Sequence, residues 1–566
     1  MSEPTRQSPP TVWLSLGVAL LTLAVFAPVL RAELVFDDER TITENLRAHS
    51  VGQALTILSP ANSWIVGEMT WRPLTTGTYV VVYPFFGPLP AAHHAVDWLL
   101  HALNAALLLA LLARLGLGPA AAAFGALCFA LHPLVVGTVS MISFREETLS
   151  AAIGLSGLLL VLAERRARRA AGLGMIGLAL FVKETGVSFG PLAALLPRPG
   201  GGRRWRDAAT PIAVSLVALA LLLWADRSTT MFAAVAKQAA VPWAARFSHA
   251  GETLMAYLRN LFVWQDLSPV HDDAIRTTFG SAASFAGVAL LLLLAGAATY
   301  GLFRPNRGSL AAGMILIPLL PTLNLLVQAW TAQSDRFFYL PMLGVGLVAG
   351  WSLDRLLARA PAEGRATRWL TLAAAAAILA LLAWGTCREI PRYRNAWSLY
   401  STVAARQPGS ALGQFYYGQQ LIDVGRPAEA TKILAPLFAK YPENQAVDRA
   451  YARALLDSEQ PREAIRVLSG RELSGPTGAA AMVTLQAAYV AAGETEAAIA
   501  LGERWQDAPA IGDGDRALLA ANAAVAAAQL GRAAQAAAFA RHALALNPNL
   551  VGMRPIADAA PAEPKP

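Results

Sequence analysis

Apolar residues fall in long uninterrupted runs over residues 1–390, while residues 391–566 alternate small apolar and polar positions at helical spacing. A membrane-crossing helix needs about 20 mostly apolar residues. Runs of that kind lie at 11–30, 94–115, 118–138, 148–163, 209–225, 281–303, 309–329, 337–354 and 368–386. A further stretch, 171–197, is interrupted by Lys183-Glu184-Thr185-Gly186. Two ionised groups at the bilayer centre cost several kcal/mol. The basic segments Glu164–Arg169 and Arg198–Arg206 flank this stretch, and both belong on the cytoplasmic side. Two short helices joined by the Lys183-Glu184 turn satisfy both conditions, with that turn at the outer surface.

The pattern thus predicts an all-α chain of about 11 spans. Arg114, Arg304, Arg307, Arg355, Arg359, Arg365 and Arg368 then fall inside with the two basic segments. Outside fall 31–93, 139–147, 183–185, 226–280, 330–336 and everything after 386. The two long outer loops call for amphipathic helices at the interface, one of them near Val241–Trp264. The first run is an uncleaved anchor by its length.

The tail repeats. Ala430, Ala464 and Ala498 recur every 34 residues, each inside a Gly/Glu/Pro-led motif, and Ala536 follows after a short insertion. Gly418, Ala452 and Ala524 precede three of them by twelve positions; Pro442, Pro476 and Pro548 follow by twelve. Small residues at those offsets let paired helices pack closely, and proline ends the second helix. A 34-residue period of this kind is that of tetratricopeptide repeats, whose solenoids offer a concave protein-binding surface. The expected domains are 1–390 in the membrane, 391–554 as repeats and 555–566 as a disordered end. Odd parity puts the repeats outside.

Composition refines this picture. The chain is 55% hydrophobic and only 15% charged. Its net charge of +8 sits in short loops, without a basic stripe interleaved with aromatics, so no nucleic-acid partner is expected. Two cysteines supply neither a disulfide framework nor a metal-spacing motif. His271-Asp272-Asp273 reads as a solvated loop in preference to a divalent-metal site.

Candidate chemistry gathers on the outer side. Phe36-Asp37-Asp38-Glu39 follows the first run, then Trp71-Arg72-Pro73-Leu74, then Asp97 and Leu100–Asn104. After these come Phe129–Pro133, Phe144-Arg145-Glu146-Glu147, Lys183–Gly186 and Asp335–Pro341. In this order, and with the repeats attached, they resemble the transmembrane and tetratricopeptide-repeat O-mannosyltransferase family. That family belongs to the multi-span (GT-C) class of polyprenyl-phosphate-sugar transferases, of which this chain resembles a bacterial member. The family's Asp-Asp falls on Asp37 and Asp38, its Arg-Pro-Leu on Arg72–Leu74, its His-Pro on His132-Pro133 and its Lys-Glu-Thr-Gly on Lys183–Gly186. The chain departs at Arg145-Glu146-Glu147, where the family more often has Arg-Ala-Asp, and at Asp335-Arg336, where it has Glu-Arg.

The residues themselves suit this chemistry. Transfer from a lipid phosphate needs a base for the acceptor hydroxyl, for which Asp37, then Asp38, is the candidate. The leaving phosphate needs cations, for which Arg72, Arg145, Lys183 and Arg336 are candidates. Glu146, Glu184, His101, His132 and Tyr339 are supporting candidates, with polar packing an equal reading for His101 and His132. No metal or other cofactor is required. The expected activity is inverting transfer of a sugar from a polyprenyl-phosphate donor to a Ser or Thr of an exported protein held by the repeats. The expected place is the bacterial inner membrane, with the repeats in the periplasm. The resemblance implies mannose among eukaryotic relatives. A non-enzymatic scaffold, or a glycan or lipid acceptor on the same fold, is the alternative.

Overall fold

The computed structural model describes residues 9–43, 49–52, 71–197, 205–225, 241–271, 280–325, 333–442, 444–471, 473, 475–508 and 511–559. Among these, regular structure is helical throughout, apart from one isolated bridge between His271 and Gln333. Glu44, Asn45, Asp272 and Asp273 lie outside the described residues. The chain divides into two compact units, 1–402 and 403–566.

In the first unit the helices are α1 (Pro9–Phe26), α2 (Asp38–Ile42), α3 (Pro73–Phe86), α4 (Pro90–Arg114), α5 (Pro119–Ala130), α6 (Val136–Ser140), α7 (Arg145–Val161) and α8 (Arg166–Ala179). They continue with α9 (Phe189–Leu195), α10 (Trp205–Ala225), α11 (Trp243–Asn260), α12 (Ala282–Phe303), α13 (Arg307–Leu316), α14 (Pro341–Glu363), α15 (Arg365–Glu389) and α16 (Ala396–Arg406), which runs across the boundary between units.

Most apolar runs have become helices, but 309–329 is helical only as far as Leu319 among its described residues, and not every helix is a span. Among the described residues, five segments are long and apolar enough to cross a membrane: Val12–Arg31, Pro90–Arg114, Asp207–Trp224, Ala282–Phe303 and Arg365–Tyr393. Pro119–Ala130 with Pro133–Ser140 makes a sixth, bent by 48°. The bend has a local cause, because a residue before proline is driven out of the helical region, and His132 is extended at φ −78°, ψ 132°. The other expected spans are shorter or more charged. α7, α8, α9 and α13 have 17, 14, 7 and 10 residues, and α14 carries Asp354, Arg355 and Arg359. The first unit is thus a multi-pass helical body.

Close helix crossings hold it together. A Cβ on Gly125 of α5 would lie 2.4 Å from the Gly346 carbonyl of α14, and one on Gly350 would lie 2.8 Å from the Ala121 carbonyl. The same contact recurs between Gly157 of α7 and Gly172 of α8, and between Gly251 of α11 and Gly287 of α12. Apolar solvent gives helices little reason to associate, so small residues that admit backbone contact take that role. The expected interfacial helix near 241–264 forms as α11. Its Arg246, His249, Leu254 and Tyr257 are buried, so one face packs into the protein while Trp243, Phe247 and Leu258 stay exposed.

Residues 171–197 break as anticipated, into α8 and α9 joined by the turn Glu184–Ser188. The turn is not open to solvent, however. Lys183 is 3% exposed. Two glutamates from α7 account for that burial.

The second unit pairs Ala411–Asp423 with Pro427–Lys440, Gln445–Asp457 with Pro461–Leu468, Gly475–Ala492 with Thr495–Trp505, and Asp513–Gln529 with Ala533–Leu546. Gly418, Ala430, Ala452, Ala464, Ala498, Ala524 and Ala536 are all buried, as the repeat pattern requires. Gln486 occupies the small position of the third pair, and its Nε2 donates to the Ala498 carbonyl at 2.8 Å. Pro476, expected to end a helix, instead falls in the first turn of Gly475–Ala492. Residues 555–558, assigned above to the disordered end, belong to a short helix, Arg554–Asp558, with Ala557 buried.

Candidate functional site

Segments distant in sequence meet at one end of the helical body: the loop before α2, the approach to α3, the first turn of α7, the turn after α8 and the turn Asp335–Phe338 before α14. Arg72 lies at the N-terminus of α3, where Pro73 takes the first helical position without needing a partner for its missing N–H.

Glu146 is the hub. It accepts from Arg72 Nη1 at 3.0 Å and Lys183 Nζ at 3.0 Å, and Arg336 Nη1 stands 3.8 Å away. Arg72 also grips Glu184 with two donors, Nε at 3.2 Å and Nη2 at 3.0 Å. Lys183 Nζ meets Glu147 at 2.5 Å. Arg336 lies over the ring of Phe144 at 4.2 Å and that of Phe337 at 5.2 Å. Such stacking steers a guanidinium without consuming its donors.

Exposure ranks these cations. Arg72 and Arg336 keep 18% and 24% of their side chains accessible, while Lys183 keeps 4%. An incoming anion therefore meets the two arginines first. Burial alone would raise the Glu146 carboxyl, but Arg72, Lys183 and Arg336 outweigh it and hold it near 2. Glu147 goes the other way, because burial and the charge of Glu146 exceed the help from Lys183.

Asp37 is half-buried at the N-terminus of α2 and its carboxyl is raised, by burial first, with Arg336 and Arg40 opposing. Its neighbour differs in kind. Asp38 is fully buried and accepts from the Ser143 amide at 2.7 Å and the Val35 amide at 3.2 Å, and burial lifts it to about 7. Asp38 therefore ties the loop after α1 to the segment before α7, and Asp37 is the carboxylate left facing the cations.

Arg145 does not join the cluster. It is fully buried and clamps Asp97 through Nε and Nη2, with further donation to Thr78 Oγ1 and the His93 carbonyl. Every bond it makes points into the protein. His101, Asn104 and Tyr339 form a second interior knot. His101 Nε2 lies 3.0 Å from the Ala130 carbonyl, so it carries the proton and Nδ1 accepts from the Tyr339 hydroxyl at 2.8 Å. Asn104 Nδ2 donates to the same hydroxyl. His132 accepts from the Leu134 amide and donates to the Leu261 carbonyl. Both histidines have their two nitrogens engaged away from the ion cluster.

Two members have no role in the sequence reading, where Glu147 and Phe144 stand only as part of Phe144-Arg145-Glu146-Glu147. Asp97 had a signal: an acid inside an apolar run demands a buried cation. Among the described residues no three His, Cys, Asp or Glu side chains come together as a cation site.

Residues 421–489 match the family model of the tetratricopeptide repeat. The tail is a tetratricopeptide-repeat domain. The chain is also similar to Protein O-mannosyl-transferase Tmtc2 of Drosophila melanogaster, 30% identical over 125 residues. That match takes in 22% of this chain and spans 13% of the length of the relative. A crystal structure of ArnT from Cupriavidus metallidurans bound to undecaprenyl phosphate aligns over 94% of this chain and 80% of that one. The identity is 15% and the TM-score 0.32, too loose a likeness to assign a ligand to this chain.

Proposed function

We propose that the chain is an inverting glycosyltransferase, taking a sugar from a polyprenyl-phosphate donor and passing it to a Ser or Thr hydroxyl of an exported protein. The observation that carries this reading is the half-buried Asp37 carboxyl, raised by burial, lying in the field of Arg336, whose guanidinium stays partly accessible beside Glu146. A base must take a proton and a cation must receive developing phosphate charge. These two groups offer both.

In a single displacement the acceptor hydroxyl gives its proton to Asp37 as its oxygen bonds to the anomeric carbon. The bond from that carbon to the phosphate oxygen breaks on the opposite face. The electron pair leaves with the lipid phosphate, whose charge Arg336 and Arg72 receive. Glu146 and Glu184 keep the arginines extended for that purpose. The likeness to an O-mannosyl-transferase makes mannose the first sugar to test. The repeats, being of a peptide-binding type, suit capture of the acceptor. The site then works at the outer face of the inner membrane, with the repeats on that side too.

Asp37→Asn is the decisive substitution. In membranes given radiolabelled polyprenyl-phosphate mannose and envelope proteins, it should lower transfer by about 100-fold or more. Transfer at the wild-type rate would remove Asp37 from the mechanism.

A further inference from the structure

The cluster's charges already cancel. Arg72, Lys183 and Arg336 bring three positive charges; Glu146, Glu147 and Glu184 bring three negative ones. Ionised Asp37 adds a fourth negative charge and Arg40, which acts on it with Arg336, a fourth positive one, so the sum stays at zero. A phosphate arriving at Arg72 and Arg336 thus adds an anion to a site that has no positive charge to spare. It also competes for the same two guanidinium groups that Glu146 holds. In a poorly solvated site an uncompensated charge is expensive, and the usual relief is a proton.

We propose that the site takes up its lipid phosphate together with one proton, which settles on Glu147. This rests on the reading that the cluster binds a lipid phosphate. The three glutamates differ in what they would lose. Glu184 accepts two bonds from Arg72, and Glu146 is shared among three cations. Glu147 has a single charged partner, Lys183, and is 1% exposed. The groups facing it are Lys183 after α8, Glu146 on its own helix, Arg336 before α14, Tyr257 of α11 and Tyr339 of α14. With both tyrosines uncharged near neutral pH, Lys183 and Arg336 are the charges among the described residues that favour its ionised form. A phosphate that draws on Arg336 weakens one of those two. Protonation of Glu147 leaves Lys183 to Glu146 alone and frees one positive charge for the ligand. Asp37 is the other candidate for the proton, and it differs by lying outside these ion pairs.

The test is calorimetric. The full-length chain in detergent micelles is titrated with undecaprenyl methyl phosphate, a sugarless phosphodiester that does not itself titrate near neutrality. Heats in two buffers of different ionisation enthalpy count the protons. Wild type and Asp37→Asn should each take up about one proton per phosphate, and Glu147→Gln about none. The wild-type dissociation constant should weaken about tenfold per pH unit above neutrality. A proton count near zero in the wild type, or near one in Glu147→Gln, overturns the proposal. The wild-type count decides even if Glu147→Gln fails to fold. Binding that disappears in Arg336→Gln while the proton count is zero leaves the glycosyltransferase reading standing. No binding in the wild type, or binding indifferent to Arg336→Gln, overturns that reading as well.

Discussion

Arg145 and Arg336 look alike in sequence, each an arginine beside an acid at the end of an apolar run. Their surroundings separate them. Arg336 lies over two aromatic rings with only a 3.8 Å contact to Glu146, whereas Arg145 spends its donors on Asp97, Thr78 and the His93 carbonyl with no exposure at all. Removing one partner of a buried pair leaves an uncompensated charge, at a cost of about 3–5 kcal/mol. Arg145→Met should therefore deplete folded protein, as read by size-exclusion profile and melting temperature. The double variant Arg145→Met with Asp97→Leu should recover most of the stability and retain transfer. A single variant that folds normally yet loses transfer would instead return Arg145 to the phosphate site. Much of the site was legible residue by residue, because Asp37, Arg72, Glu146, Lys183, Glu184 and Arg336 do converge. Asp38 and Arg145 were not separable from them. Their burial is decided by Ser143, Val35 and Asp97, and no local pattern encodes those distances.

Between residue and domain, the helices show what a pattern of apolar runs can and cannot specify. Most runs became helices, as length and composition favour, although 309–329 stops being helical at Leu319. Which helices cross alone depended on their neighbours. Lys183, at the turn between α8 and α9, is buried because Glu146 and Glu147, 37 and 36 residues earlier, surround its ammonium. The tail's paired helices were readable from its period, as the buried alanines at the repeat positions confirm. Helix crossings were also written in the sequence, in spacing rather than hydrophobicity. Gly346 and Gly350 of α14 sit four apart, and so do Ala121 and Gly125 of α5, and the two pairs meet backbone to backbone. A Cβ on Gly346 would stand 2.7 Å from the Gly125 carbonyl. Gly346→Ile should force the helices apart and cost roughly 1–3 kcal/mol, measured as a fall in melting temperature in detergent. Gly174, around which nothing lies within 4 Å, is the control, and Gly174→Ala should melt like wild type. Equal melting of both variants would mean that the α5–α14 crossing is not a tight one.

At the scale of the whole molecule the open matter is direction. Arginines crowd the segments 164–169, 304–307 and 355–368, and Glu146, Glu147 and Glu184 lie at the far ends of α7 and α8, the two helices that the first of these segments joins. Cytoplasmic loops favour Lys and Arg, and the proposed orientation accordingly puts the cluster outside, with the segment after α15 on the same side. The chain supplies its own reporter for this. It has two cysteines, of which Cys128 is buried and Cys387, at the end of α15, is exposed. A membrane-impermeant maleimide added to intact cells with a permeable outer envelope should label the protein once, at Cys387. Cys387→Ser should abolish that label. Labelling that needs an opened cytoplasmic membrane would place the end of α15 inside, with Lys183 and Glu147 then facing the cytosol. A donor whose sugar is presented outside would not reach them. The acceptor pool would also change, from exported proteins to cytosolic ones. One label, read in intact and opened cells, therefore selects both the face of the membrane that supplies the donor and the set of proteins available to the repeats.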